Sequence, residues 1–310
     1  MSRKGPALLL RDIERGDPQV LAVLDVIAHA RPDVLLLLDV DWDYGDAALS
    51  ALQAALDERG LDYAHRVSRR PNAGVPSGFD LDGNGRLGEG RDALGYGRFT
   101  GDGGMALLSR LPLGTVEDHS ADLWADHSAP PADVLPVEAA GVVPLASVAQ
   151  WVVPLTLGQT RLRLITMNAN TPVFDGPEDR NGRRNADELR FVADLVSQAP
   201  LPVVLGRSNI DPQDGDGLHQ VMIDLLDHPA LQDPEPRGAG GGGLGHRGDP
   251  ALDTVDFEGP GPLRVDYILP SQALRVLDSG VVWPAPGDPL AEVVATASRG
   301  RLVWVDLALP

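Results

Sequence analysis

Five apolar stretches of this chain end in polar residues of kinds that do chemistry. Asp39 follows Leu-Leu-Leu-Leu, Asn168 and Asn170 follow Leu-Ile-Thr-Met, and Arg207-Ser208-Asn209 follows Val-Val-Leu-Gly. Asp266 stands inside Arg-Val-Asp-Tyr-Ile-Leu, and Ser298-Arg299 precedes the last apolar run. In α/β folds the ends of buried strands gather where active sites form. The plainer reading is that loops begin at strand ends and loops are polar. Five clusters together favour a site.

A second constellation is Asp80-Leu-Asp82-Gly-Asn84-Gly85, with oxygen ligands at loop positions 1, 3 and 5 and glycine at 6. That is the opening of a calcium loop. Position 12 is Arg91 instead of glutamate, so no complete EF-hand is present, although Glu89 or Asp92 could supply the missing carboxylate. A surface cluster of Asx and glycine turns is the alternative. Arg180, Arg183 and Arg184 precede a helix, and helix N-termini favour anions, so these arginines could line a phosphate entrance. A solvated, salt-bridged loop fits the same residues, and the basic run Arg66–Arg70 is equally ambiguous. Trp42, Trp151 and Trp304 neighbour the strand ends, where wall packing is the simpler role than base stacking.

Composition narrows the chemistry. The 310 residues contain no cysteine, which removes disulfides, thiolate nucleophiles and cysteine–zinc sites. Any metal must be held by oxygen or imidazole. A net charge of −19 opposes non-specific binding to nucleic acid, although a local basic pocket could still form. Lys4 is the only lysine, and the other cations are arginines. No apolar run is long enough to span a membrane. The first ten residues lack the pattern of a signal peptide, so the chain as written is expected to be cytoplasmic, or exported if its true N-terminus is missing.

The elements that must position these residues follow from periodicity. Asp17-Pro18 caps a helix in which Val20, Val23, Leu24 and Ile27 recur at helical spacing. Asp33–Leu38 is a short continuous apolar run, as in a strand buried on both faces. Asp46–Arg59 is a second helix, closed by Gly60. Residues 69–104 read as a long functional or mobile loop, and Glu117–Ala140 as a surface excursion. Strands are predicted at Met105–Ser109, Trp151–Leu157, Arg161–Met167, Leu201–Leu205, Leu263–Leu269, Leu274–Trp283 and Arg301–Leu307. Asn185-Ala-Asp-Glu188 opens a helix with the buried stripe Leu189, Val192, Leu195 and Val196. Gly217–Asp227 is a shorter helix, and the glycine run within residues 237–250 is a flexible insertion. One α/β domain over residues 1–310 is the economical organisation.

The order of segments resembles the endonuclease/exonuclease/phosphatase family of metal-dependent phosphoesterases. The resemblance rests on PDVLLLLDVDWD, GGMALLSRLP, TPVFDGPEDRNGRRNADELRF, VVLGRSNIDPQDGDG, RVDYILPS and ASRGRLVWVDLAL. DLDGNGRLGEGRDALGYGRF and PVFDGPEDRNGRRN are similar to a bacterial branch of it. The resemblance implies a four-layered α/β sandwich, two packed mixed sheets flanked by helices, here lacking the first strand. It also implies hydrolysis of a phosphodiester or phosphomonoester assisted by Mg2+ or Mn2+. The substrate would be a phosphorylated small molecule or a nucleic-acid phosphodiester.

Carried over by motif, Asp39 takes the place of the metal-binding glutamate, and Asn209 that of the phosphate-orienting asparagine in Gly-Asp-x-Asn. Asp266 takes the place of the aspartate that holds the catalytic histidine, with Tyr267 after it. Other positions depart from the pattern. Arg207 stands where an aspartate positions the attacking water, Ser298-Arg299-Gly300 replaces Ser-Asp-His, and Asn168 and Gln150 stand where histidines are expected. The expectation is therefore an impaired hydrolase. The alternatives are a non-catalytic protein that binds phosphate or nucleotide, or one with a purely structural or interaction role. Arg207, helped by Arg299, could hold an anion through its fork; both arginines could equally pair with Asp39 and Asp266 in a dead pocket.

Overall fold

A computed structural model describes residues 1–242 and 245–308. Gly243 and Leu244 of the predicted 237–250 insertion, and the last two residues, lie outside the described residues.

The chain enters through two helices, α1 (Leu8–Glu14) and α2 (Pro18–Ala30), then strand β1 (Val34–Val40) and helix α3 (Ala47–Asp57). Strands β2 (His65–Ser68) and β3 (Gly104–Ser109) flank the long loop, and β3 pairs antiparallel with both β1 and β2. Next come β4 (Glu117–Asp118), the short helix α4 (Trp124–His127), β5 (Trp151–Leu157) and β6 (Thr160–Asn168). The second half holds α5 (Arg180–Gln198), β7 (Pro202–Arg207), α6 (His219–Leu226), β8 (Val255–Phe257), β9 (Gly261–Leu263) and β10 (Asp266–Pro270). It closes with β11 (Arg275–Val282), α7 (Pro289–Ala297) and β12 (Leu302–Ala308).

Strands β10-β7-β6-β5-β4 form a five-stranded sheet, parallel only between β6 and β7. The three-stranded sheet β1-β3-β2 lies against it, and Met105 and Leu107 meet Trp151, Val153, Leu164, Val203 and Leu205 between the two. Outside the first sheet, α1, α2 and α3 bury Leu9, Leu24, Leu52 and Leu56 against Leu35, Leu37 and Leu108. Outside the second, α5 and α6 bury Leu189, Val192 and Met222 against Ile165, Met167 and Val204. Helices thus cover the outer face of each sheet, with β8-β9 and β11-β12 as separate two-stranded ribbons.

Several boundaries differ from expectation, each for a physical reason. Helix α5 starts at Arg180, five residues before the capping pattern, with Asp179 at φ 54° and no side-chain cap. The predicted strand Leu263–Leu269 breaks between β9 and β10, where Arg264 turns to give its N–H to Asp211 (2.8 Å) and stacks on Tyr267. The expected surface excursion packs: Trp124, Val134 and Leu135 form a buried cluster with Leu81 from the long loop. That loop, residues 69–104, holds only a 3-10 turn at Gly90–Asp92 and isolated bridges before β3 begins. Helices α1 and α7 have no counterpart among the predicted elements; α7 is capped by the Asp288 carboxylate on the Leu290 N–H (2.8 Å), with Pro289 at its first position.

Candidate functional site

Three neighbouring strands carry polar residues side by side. In register, Asp266 of β10 pairs with Arg207 of β7, and Arg207 with Asn168 of β6. Val203 and Leu205 precede Arg207 on the face toward the first sheet, so alternation turns Arg207 the same way. Gly206 is obligatory just before it: its φ is 132°, and a β-carbon there would lie 1.8 Å from the Met167 carbonyl oxygen.

Asp39 comes from the opposite sheet by a different device. In β1, Leu36 and Leu38 face the sheet interface, whereas Leu35, Leu37 and Val40 face the helices. Strict alternation would send Asp39 to the helices. A bulge intervenes: Leu38 pairs with Met105 and Val40 with Gly104, leaving Asp39 as the extra residue at φ 53°. Bulges re-aim side chains in this way. The carboxylate consequently reaches across to Arg207. Two residues on, buried Asp41 accepts the N–H groups of Arg3 (2.7 Å) and Gly103 (3.1 Å), and burial pushes its carboxyl up.

At the centre, Arg207 donates from Nε to Asp266 Oδ1 (2.8 Å) and from Nη2 to Asp266 Oδ2 (3.2 Å), and from Nη1 to Asp39 Oδ2 (2.8 Å). The Arg207 and Asp266 side chains are 14% and 11% exposed, that of Asp39 54%. Burial works against the guanidinium charge, but the two carboxylates outweigh it and hold Arg207 more firmly protonated than usual. Gly300 abuts the same group, for a β-carbon on it would lie 2.8 Å from Nη2.

The remaining sequence-predicted residues divide. Asn168 is 7% exposed and its Nδ2 has no partner. Asn209, at φ 58°, gives its Nδ2 to the Ala169 carbonyl (2.7 Å). Gln150 bonds Thr166 O (2.6 Å) and Tyr267 bonds Arg264 O (2.8 Å), both inside the sheet. Arg299 is not part of the central group; it pairs with exposed Glu258.

The three arginines expected at a phosphate entrance do not converge. Arg180 donates to Leu81 O (2.8 Å), beside the Asp80 loop. Arg183 is exposed in a cleft with Asp179, Asp187 and Arg190. Arg184 points inward, 4% exposed, and donates to the carbonyls of Leu145, Leu94, Pro144 and Ala146. That corrects its expected role, because a guanidinium buried among backbone carbonyls is not presented at the surface to a phosphate. Burial lowers its pKa to about 10. Its neighbours complete a buried network that sequence reasoning missed. Asn185 Nδ2 bonds Asn170 O (2.6 Å) and Ser208 O (2.7 Å), and Glu188 accepts the N–H groups of Ser147 and Asn170 (2.6 Å each). Helix α5 thereby ties together the chain beyond the ends of β6 and β7. The signal was present: residues 185 and 188 fall on the stripe that continues through Leu189 and Val192.

In the Asp80 loop, carboxylate oxygens of Asp80, Asp82 and Asp92 lie within 4.8 Å of one another, so this cluster could hold a metal ion. Asn84 is turned otherwise; its Nδ2 donates to Asp82 Oδ2 (3.0 Å) and Glu89 Oε2 (2.7 Å).

A third acidic group fastens the glycine-rich loop. Asp253 is 6% exposed, accepts the Gly242 N–H (3.0 Å), and is pushed up to about 6 by burial and by Asp211 and Asp214, against the pull of His246. A raised folded pKa contributes stability below the unfolded value near 3.8 that is lost as pH rises through about 6. Asp253→Asn keeps an acceptor for Gly242. It is expected to stabilise the protein by on the order of 1–2 kcal/mol at pH 7.5 and hardly at all at pH 4. Thermal unfolding at both pH values checks this; an equal shift at both contradicts it.

The sequence profile described as the Endonuclease/Exonuclease/phosphatase family matches residues 7–299. The chain belongs to that family. Solved structures show the same fold. An endonuclease/exonuclease/phosphatase from Beutenbergia cavernae DSM 12333 is 19% identical with a TM-score of 0.58, over 94% of this chain and 66% of that one. The present chain therefore spans just under two thirds of that relative. A family protein from Leptotrichia buccalis C-1013-b is 14% identical with a TM-score of 0.56, over 95% and 93% of the two chains. A 3′ phosphatase from Neisseria, bound to a product DNA hairpin, is 19% identical with a TM-score of 0.52, over 94% and 95%. No curated protein matches the sequence. Among the described residues, no helix is long and apolar enough to cross a membrane.

The family resemblance implies a magnesium or manganese ion at Asp39. The residues present do not fit one. Asp39 and Asp266 are already bonded to a guanidinium, which cannot deprotonate in a protein and repels a dication.

Proposed function

We propose that this family member keeps the phosphoesterase scaffold but does not cleave phosphoesters by the metal route, and that its central site serves as an ion-pair lock between the two sheets. One observation carries the reading: Arg207 donates to Asp39 on one sheet and to Asp266 beside it on the other. Gly300 in place of the proton-accepting histidine supports it from the sequence side. The test is cleavage of phosphodiester and phosphomonoester substrates with Mg2+ or Mn2+, where metal-dependent turnover by the unaltered chain would overturn it.

A second reading, retention of a phosphate or nucleotide without hydrolysis, has one observation in its favour. The buried Asn168 Nδ2 lacks an acceptor in the strand beside Arg207. Against it, the Arg207 guanidinium is already committed to the Asp39 and Asp266 carboxylates through Nε, Nη1 and Nη2, so an anion would have to displace them. Calorimetry with inorganic phosphate separates the readings: the lock predicts no heat of binding at millimolar ligand.

For the outer loop, the reading is a calcium site built on Asp80, Asp82 and Asp92, with oxygen ligands suited to a hard cation. Calcium titration is expected to give a binding isotherm that Asp80→Ala and Asp82→Ala abolish. An isotherm unchanged by both substitutions would rule the loop out.

A further inference from the structure

The chain carries two Asn-Gly pairs, Asn84-Gly85 and Asn181-Gly182. Such a pair can close a five-membered ring, because glycine has no β-carbon to keep its nitrogen off the side-chain carbonyl carbon of the asparagine. The structure treats the two pairs differently. Asn181-Gly182 lies in the first turn of α5, where Gly182 is buried. There the Asn181 amide gives Nδ2 to Val173 O (2.8 Å) and accepts from Asn170 Nδ2 on Oδ1 (3.1 Å), and the helical backbone holds the Gly182 nitrogen away from it. Asn84-Gly85 lies in the exposed Asp80 loop, outside any helix or strand, with Gly85 at φ 81° and open space where a β-carbon would be.

We propose that Asn84 is a self-modification site, at which the Gly85 nitrogen attacks the Asn84 side-chain amide and leads to its conversion to a carboxylate. Each reacting atom has a neighbour of the kind the step needs. Asp80 Oδ2 accepts the Gly85 N–H (2.7 Å), so a carboxylate stands where the attacking nitrogen must lose its proton. The Arg86 N–H donates to Asn84 Oδ1 (2.8 Å), where negative charge develops as the N–Cγ bond forms. Asp82 Oδ2 (3.0 Å) and Glu89 Oε2 (2.7 Å) accept from Nδ2 and fix the plane of the amide. The Cγ–Nδ2 bond then breaks, Nδ2 leaves as ammonia with the proton given up by Gly85, and water opens the ring to aspartate or isoaspartate. Water is consumed, ammonia is released and no electron is transferred. In the product an oxygen replaces the amide nitrogen that faced Asp82 and Glu89, so hydrogen bonds give way to repulsion between like charges. None of this needs calcium in the loop.

The experiment follows both asparagines by peptide mass spectrometry in the full chain, folded at neutral pH or unfolded in urea, with a chelator in every sample. Unfolded, the two pairs are expected to convert at similar rates. Folded, Asn84 should convert faster than Asn181 by roughly tenfold or more, because Asn181 must first leave a packed helix. Asp80→Asn keeps an acceptor for the Gly85 N–H but removes the base. It should slow Asn84 several-fold in the folded chain and leave the rate in urea unchanged, which separates proton transfer from the intrinsic reactivity of an Asn-Gly sequence. Equal rates at Asn84 and Asn181 in the folded chain, or equal slowing by Asp80→Asn in both states, would overturn the proposal.

Discussion

Arg184→Ala is expected to lower stability by about 3–5 kcal/mol, the cost of breaking a buried charge arrangement by removing one partner. The side chain is 4% exposed and serves carbonyls of Leu94, Pro144, Leu145 and Ala146. Its loss also leaves Glu188 buried without the nearby positive charge; burial already pushes that carboxyl up, and Arg184, with hydrogen bonds from Asn170 and Ser147, draws it back. Both groups sit in the first turns of α5, which ties down the chain beyond β6 and β7. Urea unfolding measures the effect. Arg184→Lys should recover little of it, because a compact ammonium cannot reproduce the planar fork. A loss below about 1 kcal/mol, the range of surface ion pairs, would contradict the buried role.

Phosphoester cleavage is the second large effect, expected as an absence followed by a gain. The wild-type chain should show no rate above buffer that depends on Mg2+ or Mn2+. A missing general base costs about 10²–10⁴ in rate, and a cation in place of the water-positioning carboxylate removes the charge stabilisation a metal provides. The double variant Arg207→Asp/Gly300→His restores an acid and a base where the family pattern has them. It is expected to gain metal-dependent cleavage by about 10², the lower end of what a general base contributes. Each single change should give less than about tenfold: the imidazole introduced by Gly300→His needs the volume Arg207 fills, and the carboxylate introduced by Arg207→Asp has no base beside it. Single variants as active as the double variant would show that charge and volume are not linked.

Several strands were legible because buried strands announce themselves as unbroken apolar runs, as in Leu35–Leu38 and Pro202–Leu205. The positions of Asp39, Arg207, Asp266 and Gly300 followed from motif order, and the fold gathers all four. What the sequence did not reveal was direction. Arg180, Arg183 and Arg184 share a helix turn, yet one meets the Asp80 loop, one meets solvent and one turns into the core. Spacing on a helix gives azimuth, and the loops of residues 94 and 144–146 that claim Arg184 are distant in sequence. The bulge at Asp39 is likewise set by pairing with Met105 and Gly104, and β1 alone carries no sign of it. Helix α7 was readable, since Asp288-Pro289 repeats the Asp17-Pro18 start of α2, but its short length hid the periodicity.

Crystals of the unaltered protein soaked in excess Mn2+, with anomalous scattering recorded at the manganese edge, test the central claim most directly. The ion-pair lock predicts no peak within coordination distance of Asp39 or Asp266 and an undisturbed Arg207 between them. A manganese ion ligated by Asp39, with Arg207 swung aside, would contradict it.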